Sequence, residues 1–85
     1  MLDILLSMLY ILSMNLRNHL KRHRLAADGM TQQELARRVG VTRQTIISIE
    51  KNKFRPSVEL ALLLARAFAV KVEDLFEVDA KEDGP

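Results

Sequence analysis

A chain of 85 residues has room for one domain, roughly four or five helices around a single core, and none for a second catalytic domain. The absence of cysteine excludes a disulfide framework and a thiolate metal site and fits a reducing compartment, so a cytoplasmic location is expected. The net charge is only +2, but residues 14–56 carry ten Lys or Arg against three acids, and residues 57–85 carry three against seven. That imbalance suits a surface that meets an anion, and equally a set of solvated basic helices, so spacing has to decide.

In chain order, residues 1–13 form an apolar run broken only by Asp3, Ser7 and Ser13. It is shorter than the ~20 residues a membrane-spanning helix needs, and Asp3 sits where a signal peptide would be positive, so neither a membrane partner nor a secretory leader is expected. Either it packs as a helix or strand on the domain or on a second copy, or it is an upstream extension with Met14 as the start. From Asn15 to Ala27 the spacing of Leu16, Leu20, His23 and Ala27 predicts one stripe of an amphipathic helix, which Asp28-Gly29 ends. Thr31-Gln32-Gln33-Glu34 is a capping box that opens a second helix with Leu35, Ala36 and Val39 on its core side. Gly40 stops it after about two turns, and Thr42 caps a third helix over about 43–51. Asn52 suits a left-handed helix stop, and Ser57 caps a fourth helix to about Ala69 that buries Leu60, Leu63, Leu64, Ala67 and Phe68. Val72 to Phe76 forms a last turn bearing Leu75 and Phe76. The domain is therefore placed at 14–78, with an acidic, frayed tail at 79–85.

Two short helices joined by a glycine turn, the second capped by threonine and followed by a basic loop, make a helix-turn-helix pattern. Ala36 is small where the helices cross, and Ile46 and Ile49 hold the third helix to the core. Gln44, Ile47, Ser48 and Lys51 share its opposite face. A helix entering the major groove leads with its first turn, so Thr42, Arg43 and Gln44 are the candidate base readers, with Ile47 and Ser48 one turn on. Arginine pairs bidentately with guanine and glutamine with adenine, while the methyls of Thr42 and Ile47 suit thymine. Ile47 has an equal claim to the edge of the core. Candidate phosphate contacts are Gln32 at a helix N-terminus, with Lys51, Asn52, Lys53 and Arg55 in and around the loop. Lys21, Arg22, Arg24, Arg37 and Arg38 are assigned to solvated surface.

The runs Thr31-Gln32-Gln33-Glu34-Leu35-Ala36, Gly40-Val41-Thr42-Arg43-Gln44-Thr45-Ile46, Ile49-Glu50 and Pro56-Ser57, in this order and spacing, resemble the Cro/phage-repressor (XRE) family of regulators over about residues 15–78. The resemblance implies an all-α, compact five-helix lambda-repressor-like domain that binds double-stranded operator DNA, usually as a homodimer, with the third helix reading the sequence. Departures from the family pattern are His23 in place of a larger apolar residue, one extra residue near Asp28, Lys71 in place of a capping Ser or Thr, and Asn52 in place of glycine. None touches the candidate readers.

An enzyme finds no support: Gly29, Gly40 and Gly84 form no phosphate cradle, and no nucleophile–base pair stands out. His19, expected at the surface, and His23, expected half-buried, are four apart without further ligands, so no metal, cofactor or small-molecule substrate is implied. The alternative to a DNA reader is a protein-interaction module, such as an antitoxin or a membrane-associated adaptor, using residues 1–13. A dimer would place two inverted half-sites about 34 Å apart, with its interface in residues 1–13 or around the last helix.

Overall fold

The computed structural model describes residues 2–13 and 15–79. The five expected helices of the domain are present as α2 (Leu20–Ala26), α3 (Gln32–Val39), α4 (Arg43–Glu50), α5 (Val58–Ala67) and α6 (Val72–Leu75). A further helix, α1 (Leu2–Ser13), precedes them. Two short strands, β1 (Asn15–Asn18) and β2 (Phe76–Asp79), add an antiparallel ribbon that the all-α expectation lacked.

Helices α3, α4 and α5 each begin at a side chain that satisfies one of the first orphan amides. Thr31 Oγ1 accepts from the Glu34 amide at 3.0 Å, and the Glu34 carboxylate accepts from the Thr31 amide at 3.4 Å, closing the capping box. Thr42 and Ser57 cap α4 and α5 by accepting from the amides of Thr45 and Leu60. Lys71 offers no such oxygen at the start of α6, but Asp74 compensates: its carboxylate accepts from the Lys71 amide at 2.9 Å.

The core lies where the inner faces of α2 to α6 converge. Leu20, Leu35, Ile46, Ile49, Leu64 and Leu75 are fully enclosed, and each stabilises the fold by roughly 1.5–3 kcal/mol through the apolar surface it removes from water. Ala36, also enclosed, lets α3 and α4 approach closely.

Two expectations about packing are corrected. The helix predicted from Asn15 begins only at Leu20, because 15–18 pairs with the far end of the domain: Leu16 faces Val78 and Asn18 faces Phe76. On the other face of the ribbon Arg17 stands across from Glu77, an opposite-charge cross-strand pair. The four-three-four spacing of Leu16, Leu20, His23 and Ala27 had mimicked a longer helix, and only the long-range partner distinguishes the two. Leu63, expected inside, is 42% exposed, and Ala65 takes the inward position at 4%. The buried side of α5 is centred between Leu60, Leu64 and Ala65, which leaves Leu63 about a third of a turn from that centre.

Met14, named as an alternative start, lies outside the described residues, as does the expected tail beyond Asp79, which itself belongs to β2.

Candidate nucleic-acid interface

The turn between α3 and α4 is held by backbone geometry that only certain residues adopt at low cost. Gly40 has φ 76°, and the Val41 amide donates to the Ala36 carbonyl at 3.0 Å, which closes α3. At the far end of α4, Asn52 has φ 59° and the Lys53 amide donates to the Ser48 carbonyl at 2.8 Å, the same closure with asparagine in place of glycine.

Between these stops α4 is seated by Ile46 and Ile49, which leaves Thr42, Arg43 and Gln44 exposed and Ile47 and Ser48 half-buried. The Thr42 hydroxyl is engaged as the cap and lies 3.1 Å from the Thr45 hydroxyl, so what Thr42 offers a ligand is its methyl group. The candidate residues divide into two sets flanking α4. Arg43, Ile47 and Lys51 line a depression shared with Gln32 and Gln33 at the start of α3 and with Lys21 of α2. Thr42, Gln44 and Ser48 line another with Lys53 and Phe54. Arg55 and Asn52 stand apart, around a third depression beside β1 with Leu16, Arg17 and Asn18.

A buried ion pair sets the orientation of this surface. Arg24, assigned above to solvated surface, is 7% exposed: its Nε and Nη2 donate to the two Glu50 oxygens at 2.8 and 3.1 Å, and its Nη1 donates to the Met30 carbonyl at 2.8 Å. The Gln32 side-chain amide donates to the same carboxylate at 3.2 Å. One carboxylate thus joins α2, the start of α3 and the end of α4. Because Glu50 is paired with Arg24, its charge does not oppose the exposed Lys21, Arg43 and Lys51 that share its depression.

With the Gln32 side chain so engaged, its contribution to an anion site comes from the backbone. The Glu34 amide is taken by Thr31, while the Gln32 and Gln33 amides open α3 and have no intrahelical acceptor. Asn18 anchors the other end of α4: its Nδ2 donates to the Ile49 carbonyl at 2.9 Å and to Asn52 Oδ1 at 2.7 Å. The oxygen of Asn52 is therefore committed to holding the loop.

Sequence reasoning missed Arg24, Glu50, Asn18 and Lys21. A signal existed for the ion pair, since Arg24 follows Leu20 by four and Glu50 follows Ile46 by four, placing opposite charges on two core-facing stripes. Lys21, three before Arg24, shares its side of α2. Asn18 had no signal, because its role depends on β1. The two histidines come out differently from each other: His23 is half-buried as expected, its ring 6.0 Å from that of Phe68, but His19 is tied to the ribbon, 3.2 Å from the Glu77 carboxylate. Among the described residues no group of three or more His, Asp or Glu is placed to hold a metal ion, and no helix is long and apolar enough to cross a membrane.

A helix-turn-helix family profile matches residues 20–75, from the first residue of α2 to the last of α6. The chain belongs to this helix-turn-helix family, and the XRE-type resemblance drawn from its motifs stands. A protein of Archaeoglobus fulgidus described as an uncharacterised HTH-type transcriptional regulator is 49% identical over 67 residues, which cover 79% of this chain and 93% of that protein. Relatives with the same description in Methanocaldococcus jannaschii and Bacillus subtilis are 51% and 46% identical over 61 residues, in each case 72% of this chain and 91% of the relative. The function that goes with this class is DNA binding in the regulation of transcription.

Proposed function

We propose that this regulator binds double-stranded operator DNA as a homodimer, α4 lying in the major groove of each half-site. The observation that carries this is the way α4 is fixed at both ends while its outer face, from Arg43 and Gln44 to Lys51, stays open beside the first amides of α3, which have no intrahelical acceptor. Arg43 and Gln44 read base edges by paired hydrogen bonds, Thr42 and Ile47 meet thymine methyls, and Ser48 reads one turn further on. The Gln32 backbone, Lys51, Lys53 and Arg55 hold phosphates, and Asn52 shapes the loop that carries them. The protein acts by binding rather than by catalysis, in the cytoplasm.

Selection from a pool of random duplexes tests this. One inverted-repeat site, its half-sites about 34 Å apart, should be enriched. Gln44→Ala should relax discrimination at one position by ~1–3 kcal/mol, and Lys53→Ala should weaken every duplex and flatten the salt dependence by about one counterion. Uniformly weak binding with no enriched sequence would sink the proposal.

A second reading, a protein-interaction module built on α1, draws on the exposure of Leu2, Ile4, Leu5, Leu6, Met8 and Leu9. It is favoured if the double substitution Leu5→Ser, Leu6→Ser alters assembly while DNA affinity is unchanged.

A further inference from the structure

The face of α5 turned away from the core has a pattern that core packing does not require. Glu59, Leu62, Leu63 and Arg66 follow one another at intervals of three, one and three, all four are exposed, and together they form one stripe opposite Leu60 and Leu64. Leu62 is 52% and Leu63 42% exposed, and Val58, at 71%, widens the apolar patch on the same side. The stripe has an acid at one end, a base at the other and two leucines in the middle.

That order is self-complementary under a twofold axis. When two such helices lie antiparallel about an axis level with the junction of Leu62 and Leu63, Leu62 meets the partner's Leu63. Glu59 meets the partner's Arg66, and both contacts occur twice. Within one helix Glu59 and Arg66 are two turns, about 10 Å, apart and do not pair with each other. We propose that this stripe is the dimer interface, its occupant a second copy of the chain seated antiparallel on α5. The inference rests on the homodimer reading above and adds to it the surface that joins the copies. A bilayer would gain nothing from a carboxylate and a guanidinium at the two ends of so short a stripe, and Glu59 disfavours nucleic acid. A second copy satisfies both charges.

The test is sedimentation equilibrium of the full chain without DNA, across low- to high-micromolar protein, with helical content checked by circular dichroism. Leu63→Lys should raise the dimer dissociation constant at least tenfold. Glu59→Arg and Arg66→Glu should each weaken the dimer, since each sets like charges face to face. The double reversal, Glu59→Arg with Arg66→Glu, should restore it. Each reversal also places an unfavourable charge at a helix end, and the double variant carries both, so recovery of the dimer is the result a merely structural role would not give. If the wild type dimerises and neither Leu63→Lys nor the single reversals weaken it, the α5 stripe is wrong and the homodimer survives. A wild type that stays monomeric at every concentration, with DNA and without, overturns both, and binding to a single half-site then remains as a separate result.

Discussion

Helices α1 and α4 show how little apolar content alone says about burial. In α1 every described side chain, from Leu2 to Leu9, is exposed, Leu2 to 70% and Leu9 to 63%, although most are leucine, isoleucine or methionine. In α4, shorter and more polar, Ile46 and Ile49 are enclosed to within 1%. The difference is one of neighbours. In α1 Asp3 and Ser7 share one side and the apolar residues from Leu2 to Leu9 the rest, yet no other described element covers that apolar side, whereas α4 sets Ile46 and Ile49 against α2 and α3 and leaves its other side for polar work. Position follows from periodicity and from being locked at the ends, and α4 has a threonine cap, an asparagine closure and an ion pair to do that.

This contrast can be broken at its strongest point first. Glu50→Ala should cost about 3–5 kcal/mol, because it leaves the Arg24 guanidinium buried without its partner and frees Gln32 as well. Urea unfolding would measure it, and a loss under 1 kcal/mol would show that the pair does not hold α4 in place. Ile46→Ala removes a fully enclosed side chain and should cost roughly 2–5 kcal/mol by the same measurement. Thr42→Ala deletes the cap and should cost about 1 kcal/mol, lowering the melting temperature by roughly 4–8 °C for a domain of this size. At the small end, Leu5→Ser in α1 should change unfolding free energy by less than ~0.5 kcal/mol. A larger loss would mean that α1 is packed in solution and that the two helices are more alike than they look here.

Much of the domain was legible in the residues because its signals are local. Caps at Thr31, Thr42 and Ser57, the left-handed stops at Gly40 and Asn52, and the spacing of Leu35, Ile46 and Ile49 each act within a turn or two of chain. The outer face of α4 followed from them, since once Ile46 and Ile49 point inward, Gln44 and Lys51 have only the outside left. Ala69 was not legible: it closes α5 at φ 54°, a conformation alanine rarely takes, held by the bond from the Val70 amide to the Ala65 carbonyl. Arg24 was misplaced for a related reason, as a charged residue reads as surface until its partner, 26 positions on, is known to share the same interior.

By itself the sequence determined helices α3 to α6 and their order, the turn between α3 and α4 and the family those motifs declare, because capping and periodicity are properties of neighbouring residues. Tertiary structure alone decided the strand pairing of 15–18 with 76–79, which partner Arg24 meets on the core side, and the outward turn of Leu63. Each of these depends on which distant segment arrives beside a residue, and a stretch of chain carries no record of its partner until the core brings the two together.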